Sequence, residues 1–273
     1  VPLYEGKLFH QFDNRWATFD GAKNSKGEPV ERDVTQAEKA DPGFAITPRY
    51  WVRKADVQAR YVDRQGRRWW NEPWLLAARS VSSPTNQRTL IVSVLSANYG
   101  VGHSANCLYP NVMPDLAACL LATLNSLVCD YVIRIKQSGM NLSLFLLKQI
   151  PILIPNQFDA YARDFIVPRV AALTRTSDDL CAVWLKNYPC YRYQSPEERC
   201  WIRAELDAYI ARLYHLTRRD LEYILSPVSV MGGEFPTETF PGLQRDETVL
   251  YGEFLTKRLV LEAYDKLEAG ELE

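Results

Sequence analysis

The sequence predicts an α+β protein: a mixed, mostly antiparallel sheet region with a long packed helix, followed by a helical subdomain. Three observations predict it. Short β-prone runs punctuated by turns fill the chain to about residue 110. A long apolar pattern opens at Pro114. From residue 156 onward, apolar residues recur at helical spacing behind recognisable caps. The change of pattern divides the chain into a first domain over residues 1–155 and a second over 156–273.

Along the first part, the β-type runs are LYEGKLFHQF, FAITPRYWV, WWNEPWLL and LIVSVL. Pro48 favours an extended Thr47, leading into RYWV as a strand. Residues 21–41 are polar and marked by Gly and Pro, which predicts a long exposed loop. Pro114 suits a first helical turn, followed by Leu116, Leu120, Leu121, Leu124, Val128 and Tyr131. The break QSGMN comes next, with Gly139 available for a left-handed turn and Asn141 placed to cap a helix LSLFLLKQ. IPILIP then reads as extended, its prolines excluding a central ladder position. Ser195, Pro196 and Glu198 form a helix start, Thr217 and Asp220 another, and a last helix is predicted from near Thr248 to Leu267.

Composition narrows the classes. With 47% hydrophobic and 24% charged residues the chain is that of a globular protein, not a disordered or fibrous one. The longest apolar stretch, residues 116–135, contains Asn125, Asp130 and Arg134, which argues for a buried helix over a membrane span. The opening VPLYEGK has neither initiator Met nor signal segment and suggests an excised piece of a longer protein. Cys107, Cys119, Cys129, Cys181, Cys190 and Cys200 show no CxxC pairing, a pattern that fits reduced cytoplasmic thiols better than disulfides or zinc. The net charge of −1 hides an asymmetry. Residues 49–89 hold nine bases against Asp56, Asp63 and Glu72, whereas residues 234–273 hold ten carboxylates against four bases. A basic segment balanced by an acidic tail fits a local polyanion footprint, the alternative being a solvated face.

The segment RSVSSPTNQRT, residues 79–89, is the leading candidate site. Its guanidinium, amide and hydroxyl groups need more partners than a hydrophobic core supplies, so it reads as a polar loop before the strand LIVSVL. The same groups suit phosphates and base edges: Arg79 and Arg88 for phosphate or guanine, Asn86 for adenine, Ser82, Ser83 and Thr89 for either. A solvated hairpin loop is the alternative. Arg49 and Tyr50 are expected beside it, and the turn at Ser138, Gly139 and Asn141 is a second candidate through its backbone amides, with a plain helix cap as the alternative for Asn141. Arg15 is read as pairing with a carboxylate such as Asp13 or as touching DNA. One tryptophan of Trp69, Trp70 and Trp74 is open to base stacking, core packing being the alternative.

No Walker loop, dinucleotide fingerprint, GxSxG elbow or HExxH pair occurs. His10, His103 and His215 lie in unrelated contexts, and Glu5 with Lys7 matches only half of a metal-nuclease arrangement. No metal site and no catalytic constellation is therefore expected.

Four stretches in this order resemble the C-terminal target-recognition region of large adenine-specific DNA methyltransferases: LYEGKLFHQFDNRW, PRYWV, RSVSSPTNQRT and LNSLVCDYVIRIKQSGMNLSLFLLKQIPILIP. The last resembles the signature shared by TaqI-like methyltransferases and type I specificity subunits. ARLYHLTRRDLEYIL and YGEFLTKRLVLEAYDKL resemble the tail of fused type IIG and type IIL restriction–modification proteins and of BREX- or DISARM-like phage-defence methyltransferases. The resemblance implies a parent whose upstream domain binds S-adenosylmethionine and holds the flipped adenine in an Asn-Pro-Pro-Tyr/Phe motif. Neither that motif nor a cofactor loop occurs here, so this chain alone is not expected to methylate. The implied task is to dock on double-stranded DNA, read it, and present the adenine to the parent's catalytic domain. Two other readings stand beside it: a module that docks a partner subunit or that catalytic domain, and a stand-alone hydrolase with an unrecognised site, which metal-dependent cleavage lost on changing Glu5 or Lys7 would support.

Overall fold

The computed structural model describes residues 1–272 and is α+β, with helices predominating over small, mostly antiparallel sheets. The strands are β1 (Pro2–Tyr4), β2 (Ala17–Thr18), β3 (Arg32–Asp33), β4 (Tyr50–Trp51), β5 (Trp74–Arg79), β6 (Val92–Ser96), β7 (Gly100–Val101) and β8 (Ala105–Leu108). Helices α1 (Gln36–Ala40) and α2 (Lys54–Ala59) lie among them, and α3 (Pro114–Asn125), α4 (Leu127–Lys136), α5 (Leu144–Leu147), α6 (Ala160–Thr174) and α7 (Asp178–Val183) follow. The chain closes with α8 (Pro196–Leu213), α9 (Arg218–Leu225), α10 (Pro227–Met231), α11 (Pro241–Tyr251) and α12 (Leu255–Ala269).

Two compact units interleave along the sequence. Val1–Val81, Val92–Ala117 and Val170–Tyr193 make the first; Ser82–Ile91, Ala118–Arg169 and Gln194–Glu273 make the second. The expected boundary after residue 155 is not where this division falls.

In the first unit β5 is the centre of an antiparallel sheet, paired with β6 from Trp74↔Ser96 to Ala78↔Val92 and with β8 from Leu76↔Leu108 to Arg79↔Ala105. The run WLLAA is buried throughout, which is why its apolar residues do not alternate with polar ones. Trp74 packs edge-on against Trp184, ring centres 4.7 Å apart. In a second sheet β1 lies between β4, antiparallel, and β7, parallel. Gly100 of β7 has no room for a side chain: a Cβ there would lie 2.7 Å from Val52 and 2.9 Å from Leu3.

Polar groups in this unit are buried in matched sets. The Lys39 ammonium meets Asp13 at 2.6 Å, and the Tyr193 hydroxyl donates to the same carboxylate at 2.8 Å. Arg15 is buried and donates to four backbone carbonyls, Asp41, Phe44, Lys39 and Thr176, rather than to the Asp13 carboxylate, which accepts its backbone N–H instead. The expected open loop over residues 21–41 is partly ordered: Thr35 and Glu38 close a capping box on α1, and Arg32 bonds Asp20 and Glu38. The thiol reading also needs correction. Cys181 and Cys190 are joined, Cα atoms 5.8 Å apart, and Arg175 bonds the Trp184 and Pro189 carbonyls between them.

The second unit is helical, α12 packing on α8 and α9. Both capping boxes read from the sequence are present, Ser195 with Glu198 and Thr217 with Asp220. Two helices are shorter than expected. The apolar stretch from Pro114 bends by 52° between α3 and α4. Ser126 caps α4 by accepting from the Cys129 N–H at 3.2 Å, and buried Asp207 accepts the Leu127 N–H at 2.7 Å. The last helix is divided at Gly252, whose φ of 78° ends α11. Ser143, not Asn141, caps α5. No single helix is long and apolar enough to cross a membrane.

Candidate nucleic-acid interface

Residues 82–91 belong to the second unit, and Ser82, Arg88 and Thr89 of the candidate loop are buried there. Asp130, on α4, is the anchor. Its carboxylate accepts the backbone N–H of Thr89 at 3.0 Å and of Leu90 at 3.3 Å, and takes the Arg134 Nε at 3.2 Å. Arg88 is only 7% exposed; its Nη2 meets Asp207 at 3.2 Å and its Nη1 lies 3.8 Å from Asp130. Ser82 is buried and donates its hydroxyl to the Thr89 carbonyl at 2.6 Å. The expectation that these groups face DNA is therefore corrected for Ser82, Arg88 and Thr89: carboxylates and carbonyls supply the partners that a purely apolar core would lack.

The tip of the loop stays outside. Arg134 threads beneath it, donating to the carbonyls of Pro84 (2.6 Å), Asn86 (2.8 Å) and Gln87 (2.9 Å) and to that of Thr239 (3.1 Å). Burial lowers the Arg134 pKa, and Asp130 opposes that shift. Ser83 and Thr85 bond each other through their hydroxyls, Gln87 bonds Asp246, and the Asn86 side chain is exposed without a hydrogen bond among the described residues. Gly242 of α11 lets the tip come close: a Cβ there would lie 2.5 Å from the Thr85 carbonyl oxygen.

The second candidate, the turn after α4, meets this loop. The Gln137 amide donates to the carbonyls of Ser82 (2.6 Å) and Gly139 (2.8 Å), and the Ser82 N–H donates to the Met140 carbonyl at 2.9 Å. Two segments separated by about fifty residues are thus tied together, with the side chains of Ser138, Met140 and Asn141 exposed. Gln137 was not singled out in the sequence, and a lone glutamine after a helix gives no local signal.

Arg49, Tyr50 and Arg79 belong to the first unit. Arg79 lies along its own sheet, its guanidinium donating twice to the Phe9 carbonyl. Burial alone pushes its pKa down to about 10, with no carboxylate opposing. Arg49 lies over the Tyr50 ring at 5.3 Å, and both are exposed. They begin a cationic surface that runs on through α2 and the hairpin closed by the Val62↔Arg68 bridge. Arg68 joins helix and hairpin by bonding Gln58 at 3.1 Å, and Trp69 donates to the Arg60 carbonyl at 2.9 Å. Arg53 and Arg67 are paired with Asp56 and Asp63, but exposed Lys54, Arg60 and Arg64 have no ion-pair partner among the described residues. The sequence signal for this surface was the charge asymmetry. Trp70 and Trp74 are core; Trp69 and Trp51 are the exposed indoles of this region.

Glu5 and Lys7 do not converge on a metal position. Lys7 pairs with Glu31 at 2.8 Å, and among the described residues no three His, Cys, Asp or Glu side chains are grouped to hold an ion. Gly6 between them is a packing glycine, where a Cβ would lie 2.5 Å from the Ser104 carbonyl oxygen. Comparison with known proteins finds no matching family model, no matching curated protein and no matching solved structure.

Proposed function

We propose that this chain is the duplex-DNA docking and recognition segment of a fused adenine-specific DNA methyltransferase of the restriction–modification or phage-defence kind. In this reading it holds the duplex so that the parent's S-adenosylmethionine-binding domain acts on the target adenine, and methyl transfer belongs to that domain. The observation that carries the reading is the cationic surface of Lys54, Arg60 and Arg64, which have no ion-pair partner among the described residues, in a segment that also exposes Arg49, Tyr50, Trp51 and Trp69. Folding gives no reason to gather cations there, whereas a polyanion releases counterions when it meets them. The Asn86 tip and the Ser138–Asn141 turn of the second unit supply exposed amide and hydroxyl groups of the kind that read base edges.

The test is a mobility-shift titration of random-sequence duplexes with wild type and a Lys54→Ala/Arg60→Ala/Arg64→Ala variant. Wild type is expected to bind at low salt and the variant to bind several-fold more weakly. No binding by wild type at low salt overturns the reading. Arg88→Ala is unsuitable for this purpose, because it leaves Asp207 without its cation and reports on folding.

Docking on the parent's catalytic domain is a second reading, favoured by one observation. Val249 and Leu250 of α11 are exposed, an apolar pair flanked by the ion pairs Arg245–Asp246 and Arg258–Glu253.

A further inference from the structure

From Tyr131 to Phe158 the chain has no carboxylate, and this stretch carries Met140 and Phe145, which are 68% and 73% exposed. Nothing in the unit covers them. Yet the backbone between is held firmly. Gln137 grips Gly139 and Ser82, the Met140 carbonyl accepts from Ser82, Leu142 is fully buried, and the Ser143 hydroxyl caps α5 just before Phe145. The chain therefore goes out at Met140, in at Leu142 and out again at Phe145 on a braced frame. The same stretch also exposes Ser138, Asn141 and Ser143 and the lysines Lys136 and Lys148.

We propose that this tip is an apolar wedge that enters the base stack of duplex DNA, Met140 and Phe145 unstacking a step while the lysines and hydroxyl groups hold the flanking phosphates. The proposal rests on the DNA-docking reading above and adds the element that loosens the stack. Apolar side chains inserted between base pairs are a general device for kinking a duplex, and extruding a base requires its stack to open. A stretch with lysines and without carboxylates suits a polyanion. Hydrogen-bonding groups at the rim suit phosphate and base edges better than a purely apolar protein face would.

The probe is a pool of duplexes carrying 2-aminopurine at a central pyrimidine–purine step, the kind that unstacks most easily. Binding is followed by mobility shift and unstacking by emission, for wild type, Met140→Ala/Phe145→Ala and Met140→Leu/Phe145→Leu. Bound wild type should raise the emission severalfold. The alanine variant should still shift the duplex with an unchanged salt response but leave emission at the free-duplex level, and the leucine variant should restore most of the rise. If bound wild type leaves emission unchanged, or the alanine variant raises it equally, the wedge is overturned while DNA docking stands, and the apolar tip belongs to a protein contact. If no duplex shifts at low salt, docking and wedge fall together.

Discussion

Arg79 and Arg88 share one polar segment and have opposite surroundings. Arg88 is neutralised by Asp207 and Asp130, whereas Arg79 faces only a carbonyl and keeps an uncompensated charge. Asp130 carries the larger burden, since loop backbone and two arginines converge on it. Asp130→Ala should destabilise the protein by about 3–5 kcal/mol, because it strands buried cations and amides, and urea unfolding measures it. A change within error would show that the anchor is not needed. Neither partnership was legible in the sequence: Asp130 lies 41 residues from Thr89 and Asp207 lies 119 from Arg88, so no local pattern links them. Asp179 is a half-buried carboxylate, one oxygen of which is buried without a hydrogen bond. Burial raises its pKa above the ordinary 3.8, with Tyr99 and Arg15 opposing. A raised folded pKa means a contribution to stability that is complete below 3.8 and lost as pH rises through the folded value. Asp179→Asn should therefore stabilise the protein at pH near 7, with the gain shrinking as pH falls toward about 4. Urea midpoints that shift equally at both pH values would contradict this.

At the scale of elements, the two capping boxes and the break after Lys136 were legible, whereas the Ser143 cap and the breaks at Ser126 and Gly252 were not. Ser195 with Glu198 and Thr217 with Asp220 announce helices because the capping box is a local hydrogen-bond pattern. The break at Ser126 depends on Asp207 reaching the Leu127 N–H from α8, a contact that apolar periodicity does not encode. The candidate site divides in the same way. Ser138 and Asn141 were singled out from turn chemistry, but the junction of that turn with the Ser82 segment runs through Gln137 and was not. The tip of that segment also depends on α11. Gly242→Ala would place a methyl group against the Thr85 and Asn86 backbone, where the nearest atom leaves 2.5 Å. Overpacking of this kind costs about 1–3 kcal/mol, and because the neighbour is backbone, the tip itself must move. Thermal unfolding reads the loss, and amide exchange at residues 85–87 should quicken. A variant as stable and as protected as wild type would contradict the tight approach.

Across the whole molecule, charge is segregated while the net charge is nearly zero. The cationic surface of residues 49–69 lies in the first unit, and the acidic C-terminal helices lie in the second. The fold class was readable because strand-type runs and capped helical periodicity occupy different parts of the sequence. The interleaving of the units was not: residues 82–91 belong to the helical unit, where Asp130, 41 residues away, accepts the Thr89 N–H. The central claim, that the cationic surface docks duplex DNA, is tested most directly by the dependence of the association constant on salt. The account predicts a steep negative slope of log K against log salt for wild type. Its magnitude should fall by roughly 2–3 when Lys54, Arg60 and Arg64 become alanine, about 0.9 for each phosphate that is no longer neutralised. A wild-type slope near zero, or a slope that the triple variant leaves unchanged, would contradict it.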